Sequence, residues 1–457
     1  MQNLLATWNK LTSGSINRKI FSAVVTVGLF TVFVKTTSTV KELVVAWRFG
    51  TGDDQDAFLI ALMLPELSIN VLVVSFTAAL IPTYVRVREQ EGKKAAQQLF
   101  SGAVVLGLGV LGIATVLLVA TAPLYLPWIA LGFNSQKLDL TFRLLCTIAP
   151  FVLLSGTIQT WSAILNAGER FALAAVSPLV TPTTCILLLV SFKSWGIFAL
   201  AAGLICGAII EIVILGIALR RQGISLLPRW YKFDDRLRQV VSQYIPMVAG
   251  ALLLCSASSV DQAMAAMLAP GSVAALNYGN RIIASVMSLI ATALSAAVIT
   301  YASQMVACQD WVGISHTLKY YIRLIFFTTV PLAGLLIIFS EPLVQILFQR
   351  GAFTDENTHL VAQIQNLAAL QIPFYLGNLL LFRFISSMQL NHVIMWCCGL
   401  SLLVNISANY IFAIWLGVKG IALSTSCVYV FSFLFLLFFA AKHLQNQRVH
   451  KNNSSSK

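Results

Sequence analysis

Twelve apolar runs follow one another along this chain, most of them at or beyond the roughly 20 residues that a helix needs to cross a bilayer. They fall at 20–47, 57–84, 99–124, 138–165, 171–192 and 195–219, then at 240–268, 273–306, 318–339, 360–390, 394–415 and 420–441. A short amphipathic piece at 127–133 separates the third run from the fourth. Charged residues make up only 10% of the 457, against about 25% in an average soluble domain. The fold class this predicts is an all-α polytopic membrane protein of about 12 transmembrane helices. Several runs exceed about 25 residues and must tilt, kink or extend beyond the hydrocarbon. Pro65, Pro150, Pro178, Pro182, Pro246 and Pro373 are the candidate kink sites.

The net charge of +13 does not point to nucleic acid, because the basic residues gather in the tails and in alternate loops. Lys10, Arg18 and Lys19 precede the first run, and Arg86, Arg88, Lys93 and Lys94 follow the second. Arg220, Arg221, Arg229, Lys232, Arg236 and Arg238 fill the centre, and Lys442, Arg448, Lys451 and Lys457 the tail. An even number of spans puts all of these on one side, so both termini are expected in the cytoplasm. The opposite loops are poorer in Lys and Arg and include Asp53, Asp54 and Asp56. Residues 1–19 read as a polar, basic lead-in to a retained helix rather than as a cleavable signal. The eight cysteines lie mostly in apolar segments without metal-ligand spacing and read as small core residues.

The expected domains are an N-terminal six-helix lobe at 1–219, a linker at 220–238, a C-terminal six-helix lobe at 239–441 and a polar tail at 442–457. The halves carry similar strings. Ala78-Ala79-Leu80-Ile81-Pro82-Thr83-Tyr84 matches Ala296-Ala297-Val298-Ile299-Thr300-Tyr301, and Ser162 to Asn166 resembles Ser387 to Asn391. Six spans per half with the same starting side imply a parallel repeat, a pseudo-two-fold axis along the membrane normal and a central cavity.

Ionisable side chains at membrane depth are costly, roughly 2.5–3.5 kcal/mol each on insertion scales, and they usually face a wet cavity or a partner. The first run carries Lys35, Lys41, Glu42 and Arg48 before it breaks at Gly50 and Gly52. Lys35 and Glu42, seven residues apart, fall within about 20° of one helical face, with Ser38 and Thr39 beside them. Further charges within or at the edge of the runs are Asp56, Glu66, Arg143, Glu211, Asp261, Arg281, Arg323 and Arg383. If the first and eighth helices line the cavity, Lys35, Lys41 and Arg281 form a basic chamber suited to a compact anion such as a pyrophosphate. Internal pairing competes with that reading: Lys41 with Glu66, and Arg281 with Asp56 or Asp261. Glu42, Asp56, Glu66 and Asp261 are the gating or charge-pairing candidates, and Glu211 joins the candidates for cation or proton coupling. The five histidines are scattered and no Gly-rich phosphate loop with Lys is present, so no catalytic residues, metal or cofactor are expected. The glycines of 102–112 lie in a span and read as helix packing.

Several ordered patches carry a resemblance. They are Phe49-Gly50-Thr51-Gly52 with Asp56-Ala57-Phe58 and Leu64-Pro65, Ala163 to Asn166 with Arg170-Phe171 and Pro178, and Gly271-Ser272-Val273 through Leu276-Asn277-Tyr278 to Arg281. Leu347-Phe348-Gln349-Arg350-Gly351-Ala352-Phe353-Thr354 is the most specific. With these the chain resembles, over nearly its whole length, the MurJ/MviN family of lipid-linked glycan flippases in the multidrug/oligosaccharide/polysaccharide exporter superfamily. The resemblance implies a flippase of a bacterial cytoplasmic membrane that moves lipid II, an undecaprenyl-pyrophosphate glycan, by alternating access. Coupling to Na+, H+ or the membrane potential is open. The expected partners are a lipid-linked saccharide and membrane lipids, with no nucleic acid, for a protein acting as a monomer. The resemblance also implies that Lys35 and Lys41 stand for the family's first-helix basic residues, Asp56 for its acid after the Gly turn and Arg281 for its eighth-helix Arg.

Two departures stand out. Ile69 and Asn70 occupy the place of an arginine pair, and twelve spans stand where typical members have fourteen. These keep an exopolysaccharide or O-antigen lipid-linked unit as the second reading. A cation-coupled multidrug exporter, which needs acids to dominate its cavity, is the third. A membrane-embedded glycosyltransferase would need catalytic residues in a sizeable external loop, and no loop here is long.

Overall fold

A computed structural model describes residues 16–167, 171–221, 230, 233–307, 311–388 and 390–455. Lys10, Arg170, Arg229, Lys232, Cys308, Gln389 and Lys457, which figure in the readings above, lie outside the described residues. Among the described residues there are helices and turns and no strand.

In chain order the helices are α1 (Ile16–Phe49), α2 (Asp53–Ser68), α3 (Val74–Gln90), α4 (Lys93–Ala120), α5 (Ala122–Ile129) and α6 (Ser135–Ile148). They continue with α7 (Pro150–Ala167), α8 (Phe171–Val176), α9 (Val180–Ser191), α10 (Phe198–Arg221), α11 (Asp235–Ala266) and α12 (Ser272–Ala307). The last six are α13 (Trp311–Ile338), α14 (Ser340–Phe348), α15 (Asp355–Ala369), α16 (Gln371–Ser387), α17 (Asn391–Leu416) and α18 (Val418–Ser455). Several join end to end, so that among the described residues eleven continuous stretches are long and apolar enough to cross a membrane. With α1, which has 34 residues, they account for the twelve runs of the sequence. The expected amphipathic piece at 127–133 falls across the end of the short helix α5 and the turn that follows it, sharing only 127–129 with the helix.

Two of the kink candidates, Pro65 and Pro246, lie inside helices, α2 and α11. Four residues beyond Pro65 the helix widens into a π turn, Ile69–Val73, before continuing as α3. A proline withholds one N–H from the turn before it, so the π turn is a separate interruption further along the same span. Ile69 and Asn70 open that turn. The other kink candidates prove to be starts rather than kinks. Pro150 begins α7, Pro178 sits in the tight turn Ser177–Leu179, and Pro182 and Pro373 occupy the first turns of α9 and α16. In a first turn the missing N–H has no intrahelical acceptor to lose.

By packing, the chain divides into two compact units. One comprises Met1–Val45, Ala61–Leu126 and Ser135–Leu252; the other comprises Ala46–Ile60, Pro127–Asn134 and Leu253–Lys457. The turn of the first hairpin therefore packs with the C-terminal unit, and the first half of α11 with the N-terminal one. The N-terminal core gathers Leu80, Tyr84, Leu99, Phe100, Leu165 and Leu215, with Phe76 edge-on to Tyr244 at 5.8 Å. In the C-terminal unit Tyr278, Phe348 and Phe353 form an aromatic knot with centroids 5.3 to 5.8 Å apart.

Two sequence readings hold only in part. On α4, Gly107 packs against the Phe76 ring, 3.1 Å from where a Cβ would stand, whereas Gly109 and Gly112 face open space. Closer backbone approaches fall on α10, where Gly203 and Gly207 lie against the backbone of Cys185 and Thr181 on α9. Small residues act as packing points only where a partner backbone comes close. The cysteines are also not uniformly core residues. Cys185 and Cys397 are buried, but Cys146 and Cys206 are exposed on apolar helices.

Candidate functional site

Three clusters of polar groups interrupt the apolar spans. The first is the stripe on α1. Thr36, Thr37 and Thr39 donate their hydroxyls to the carbonyls of Val32, Phe33 and Lys35, each at 2.9 Å. Such i−4 bonds satisfy the hydroxyls inside the helix itself. Lys35 is exposed, and among the described residues its ammonium has no ion pair. Two turns along, Lys41 pairs with the buried carboxylate of Glu42 at 2.8 Å. The predicted polar face therefore runs from an open cation into a closed ion pair. That pair lies within electrostatic reach of Cys185 on α9. Glu66 and Asn70, on the next helix, are exposed.

The second cluster is built around Asp56, inside the C-terminal unit. Its carboxylate is 1% exposed and both oxygens accept backbone hydrogen bonds from the start of α12. Oδ2 takes the Gly271 N–H at 2.7 Å, and Oδ1 takes the Ala274 N–H at 2.8 Å. The first N–H groups of a helix have no partner within it, and an anion there is favoured by the helix dipole. Asp56 thus caps a helix that begins 216 residues further along the chain (272 minus 56). Two more contacts clamp the same turn. The Ala352 N–H donates to the Trp47 carbonyl at 2.8 Å, and the Thr51 hydroxyl donates to Oδ1 of Asn357 at 2.7 Å. Gly50 and Gly351 make the approach possible. Both have positive φ, 56° and 61°, and a Cβ on either would strike the other strand's backbone, at Ala352 or Trp47.

The third cluster surrounds Asp261 on α11, also within the C-terminal unit. Asn405 and Asn409, four residues apart on α17 and fully buried, donate their amides to Oδ1 at 2.9 and 2.7 Å. Thr425 on α18 reaches Oδ2 at 3.1 Å and the Ile421 carbonyl at 3.0 Å. Asn409 Nδ2 also lies 3.3 Å from Asn405 Oδ1, while Asn409 Oδ1 is buried with no hydrogen-bond partner among the described residues. Among the described residues no cation pairs with Asp261, so the proposed Asp261–Arg281 pairing does not form. Uncharged donors satisfy its oxygens by hydrogen bonds instead. Arg281 itself lies on α12, partly exposed.

The atoms around Asp261 are all hard oxygens or amides that can present oxygen after a flip: a carboxylate, two amides, a hydroxyl and a carbonyl. Oxygen sets of this kind suit alkali or alkaline-earth cations. No group of three or more His, Cys, Asp or Glu capable of holding a metal occurs among the described residues.

Among the other charges, Arg143 pairs with Asp139 at 2.8 Å on the surface of α6. Glu211 on α10 is buried, and its Oε2 accepts from the Thr181 hydroxyl at 3.1 Å. Arg323 and Arg383 are exposed. Sequence reasoning missed Asn405, Asn409 and Thr425. Their signal was present as two asparagines at i and i+4 within an otherwise apolar run.

Solved structures of similar shape are transporters. One titled lipid II flippase MurJ in an inward closed conformation superposes with a TM-score of 0.77 at 20% identity, covering 93% of this chain and 90% of that one. An inward-facing multidrug resistance MATE family transporter of the MOP superfamily superposes with a TM-score of 0.78 at 11% identity, covering 92% and 98%. At these identities the likeness is one of fold. By sequence, a probable lipid II flippase MurJ of Synechocystis sp. is 24% identical over 94% of this chain and 83% of its own length. Another from Thermotoga maritima is 26% identical over 89% and 83%. The family model described as lipid II flippase MurJ matches residues 45–455. Asp56, Glu66, Asp261 and Arg281 lie inside that match, whereas Lys35, Lys41 and Glu42 precede it. A match over nine-tenths of the sequence, on an all-helical membrane fold of the same kind, makes this chain a member of the lipid II flippase MurJ family.

Proposed function

We propose that this protein flips a polyprenyl-pyrophosphate-linked saccharide, the peptidoglycan precursor lipid II first, across a bacterial cytoplasmic membrane by alternating access. The observation that carries the reading is the family match across 45–455. The exposed, unpaired ammonium of Lys35 supports it, because a lone cation on a membrane helix is retained at a cost that a passing anion offsets. In this reading Lys35, Lys41 and Arg281 engage the pyrophosphate, Lys as a point charge and Arg through its planar fork. Lys41 exchanges Glu42 for substrate when the headgroup arrives, an equilibrium that costs little if the two partners compete on similar terms. The bonds of Asp56 to the α12 N-terminus act as a latch that opens once per cycle. The nest at Asp261 takes the coupling cation. Both termini face the cytoplasm, as the basic loops require.

The test is flipping of a fluorescent lipid II analogue in reconstituted vesicles. Lys35→Ala and Arg281→Ala are expected to lower the rate at least tenfold each while the protein keeps its thermal stability. Wild-type rates in both variants would remove those residues from the mechanism. Rescue of a strain depleted of its own lipid II flippase separates the two sugars. Failure to rescue, with transport of another polyprenyl-linked glycan intact, would favour the exopolysaccharide or O-antigen reading, which the uncharged Ile69 and Asn70 of the π turn favour.

A further inference from the structure

A groove of about 330 Å³ lies between α17 and α18, far along the sequence from the clusters above at Asp56 and on α1. Its mouth is basic and its floor is aromatic. His392 and Lys442 are exposed at one end, with His443 beside them; Trp396, Phe435 and Phe439 line the remainder. Helical rise converts this into depth. Phe435 precedes Lys442 by seven residues, about 10 Å along the axis. Trp396 is four residues, about 6 Å, beyond His392. The groove therefore runs from a charged rim, where the apolar span of α18 gives way to 442–455, into the depth of the spans.

Two observations say what kind of molecule covers it. First, among the described residues no carboxylate lines the groove, and no Asp or Glu follows Glu356 in the sequence. The α17 helix also starts here, and no side chain caps its first turn. Uncapped N–H groups add to the attraction for an anion already exerted by Lys442. Second, the floor is open on one side: Trp396 is 62% exposed, Phe435 and Phe439 are half-buried, and a hydrocarbon chain matches such an apolar surface. An anionic head and an acyl tail joined in one molecule satisfy both ends. Basic pockets between membrane helices bind anionic lipid headgroups on this principle.

We infer that the groove between α17 and α18 binds an anionic glycerophospholipid of the surrounding bilayer, its phosphate against Lys442, His392 and His443 and an acyl chain along Trp396, Phe435 and Phe439. The site is independent of which lipid-linked substrate the protein moves. It would hold the C-terminal unit in place in an anionic membrane.

Trp396 is a built-in reporter for the test. The full-length protein, in detergent, is titrated with phosphatidylglycerol or phosphatidylcholine carrying brominated acyl chains, and tryptophan quenching is followed. Quenching is expected to saturate at lower phosphatidylglycerol than phosphatidylcholine, and Trp396→Phe is expected to remove the saturable part. Lys442→Glu is expected to weaken phosphatidylglycerol binding at least fivefold, the factor that roughly 1 kcal/mol per basic residue implies, and to leave phosphatidylcholine unchanged. Leu400→Trp, at the deep end of the groove, is expected to weaken both lipids with the rim intact. Melting without added lipid shows whether each variant is folded. Equal affinity for the two lipids, or undiminished phosphatidylglycerol binding by folded Lys442→Glu, would overturn the inference. So would stoichiometric displacement of phosphatidylglycerol by a polyprenyl phosphate, which would give the groove to the transported lipid.

Discussion

Asp56 and Asp261 are both aspartates of the C-terminal unit held by hydrogen bonds, yet they are held in opposite ways. Asp56 receives two backbone N–H groups, which are fixed by the helix they begin. Asp261 receives two amides and a hydroxyl, all on side chains that can rotate. A carboxylate capping a helix from outside can be released only by moving that helix or its own. A carboxylate in a side-chain nest can change partners while the backbone stays still. The first arrangement suits a latch between elements that separate, and the second a site whose ligands rearrange around an ion.

The largest effect is expected at the latch. Asp56→Ala removes two charge-assisted hydrogen bonds of about 1.5–3 kcal/mol each, so a loss near 3–6 kcal/mol is expected. Asp56→Asn keeps one acceptor but turns an NH2 toward the second N–H, and roughly half that loss is expected. Thermal unfolding in detergent measures both. If Asp56→Ala melts within a degree or two of wild type, the cap contributes nothing and the latch reading fails.

That cap was not legible in the sequence. Asp56 stands out as an acid after a Gly turn, and Gly271 as a helix start, but nothing local links positions 215 residues apart. The spans were legible, since twelve long apolar runs admit few other folds. Which face of each span packs was not. In lipid a helix is apolar toward solvent and toward its neighbours alike, so hydropathy cannot separate the two. For that reason the glycine run of α4 does not tell Gly107, which packs against Phe76, from Gly109 and Gly112, which face open space, nor does it point to Gly203 and Gly207 on α10. The Asp261 nest was half legible. A lone acid in an apolar run was noticed, but the asparagines at 405 and 409 carry no charge and were passed over.

A smaller effect is expected from the third clamp of the first turn. Thr51→Val keeps the shape of the side chain and deletes its neutral hydrogen bond to Asn357. The net contribution of such a bond is about 1 kcal/mol. The same melting experiment should rank it well below Asp56→Ala. A loss as large as that of the carboxylate would mean that the turn is held chiefly by Asn357, and the weight placed on the helix cap would be misplaced.

The smallest effect on the fold is expected at Asp261→Asn, and it tells most about function. The substituted amide can keep its oxygen toward Asn405 and Asn409 and turn its NH2 toward Thr425, whose hydroxyl then donates only to the Ile421 carbonyl. Every group retains a partner, so stability without cations should change by less than about 1 kcal/mol. What disappears is the charge that would hold a cation. A bound ion stabilises the folded protein by RT ln(1 + [L]/Kd), about 1.4 kcal/mol at ten times Kd. Wild-type protein is therefore expected to melt higher as Na+ replaces a large organic cation at constant ionic strength, and Asp261→Asn to melt at one temperature throughout. If neither responds to Na+ but wild-type flipping follows an imposed proton gradient, the nest holds a proton instead. An identical Na+ response in both proteins would place the coupling site elsewhere, and the rotatable donors around Asp261 would then serve only to bury a charge.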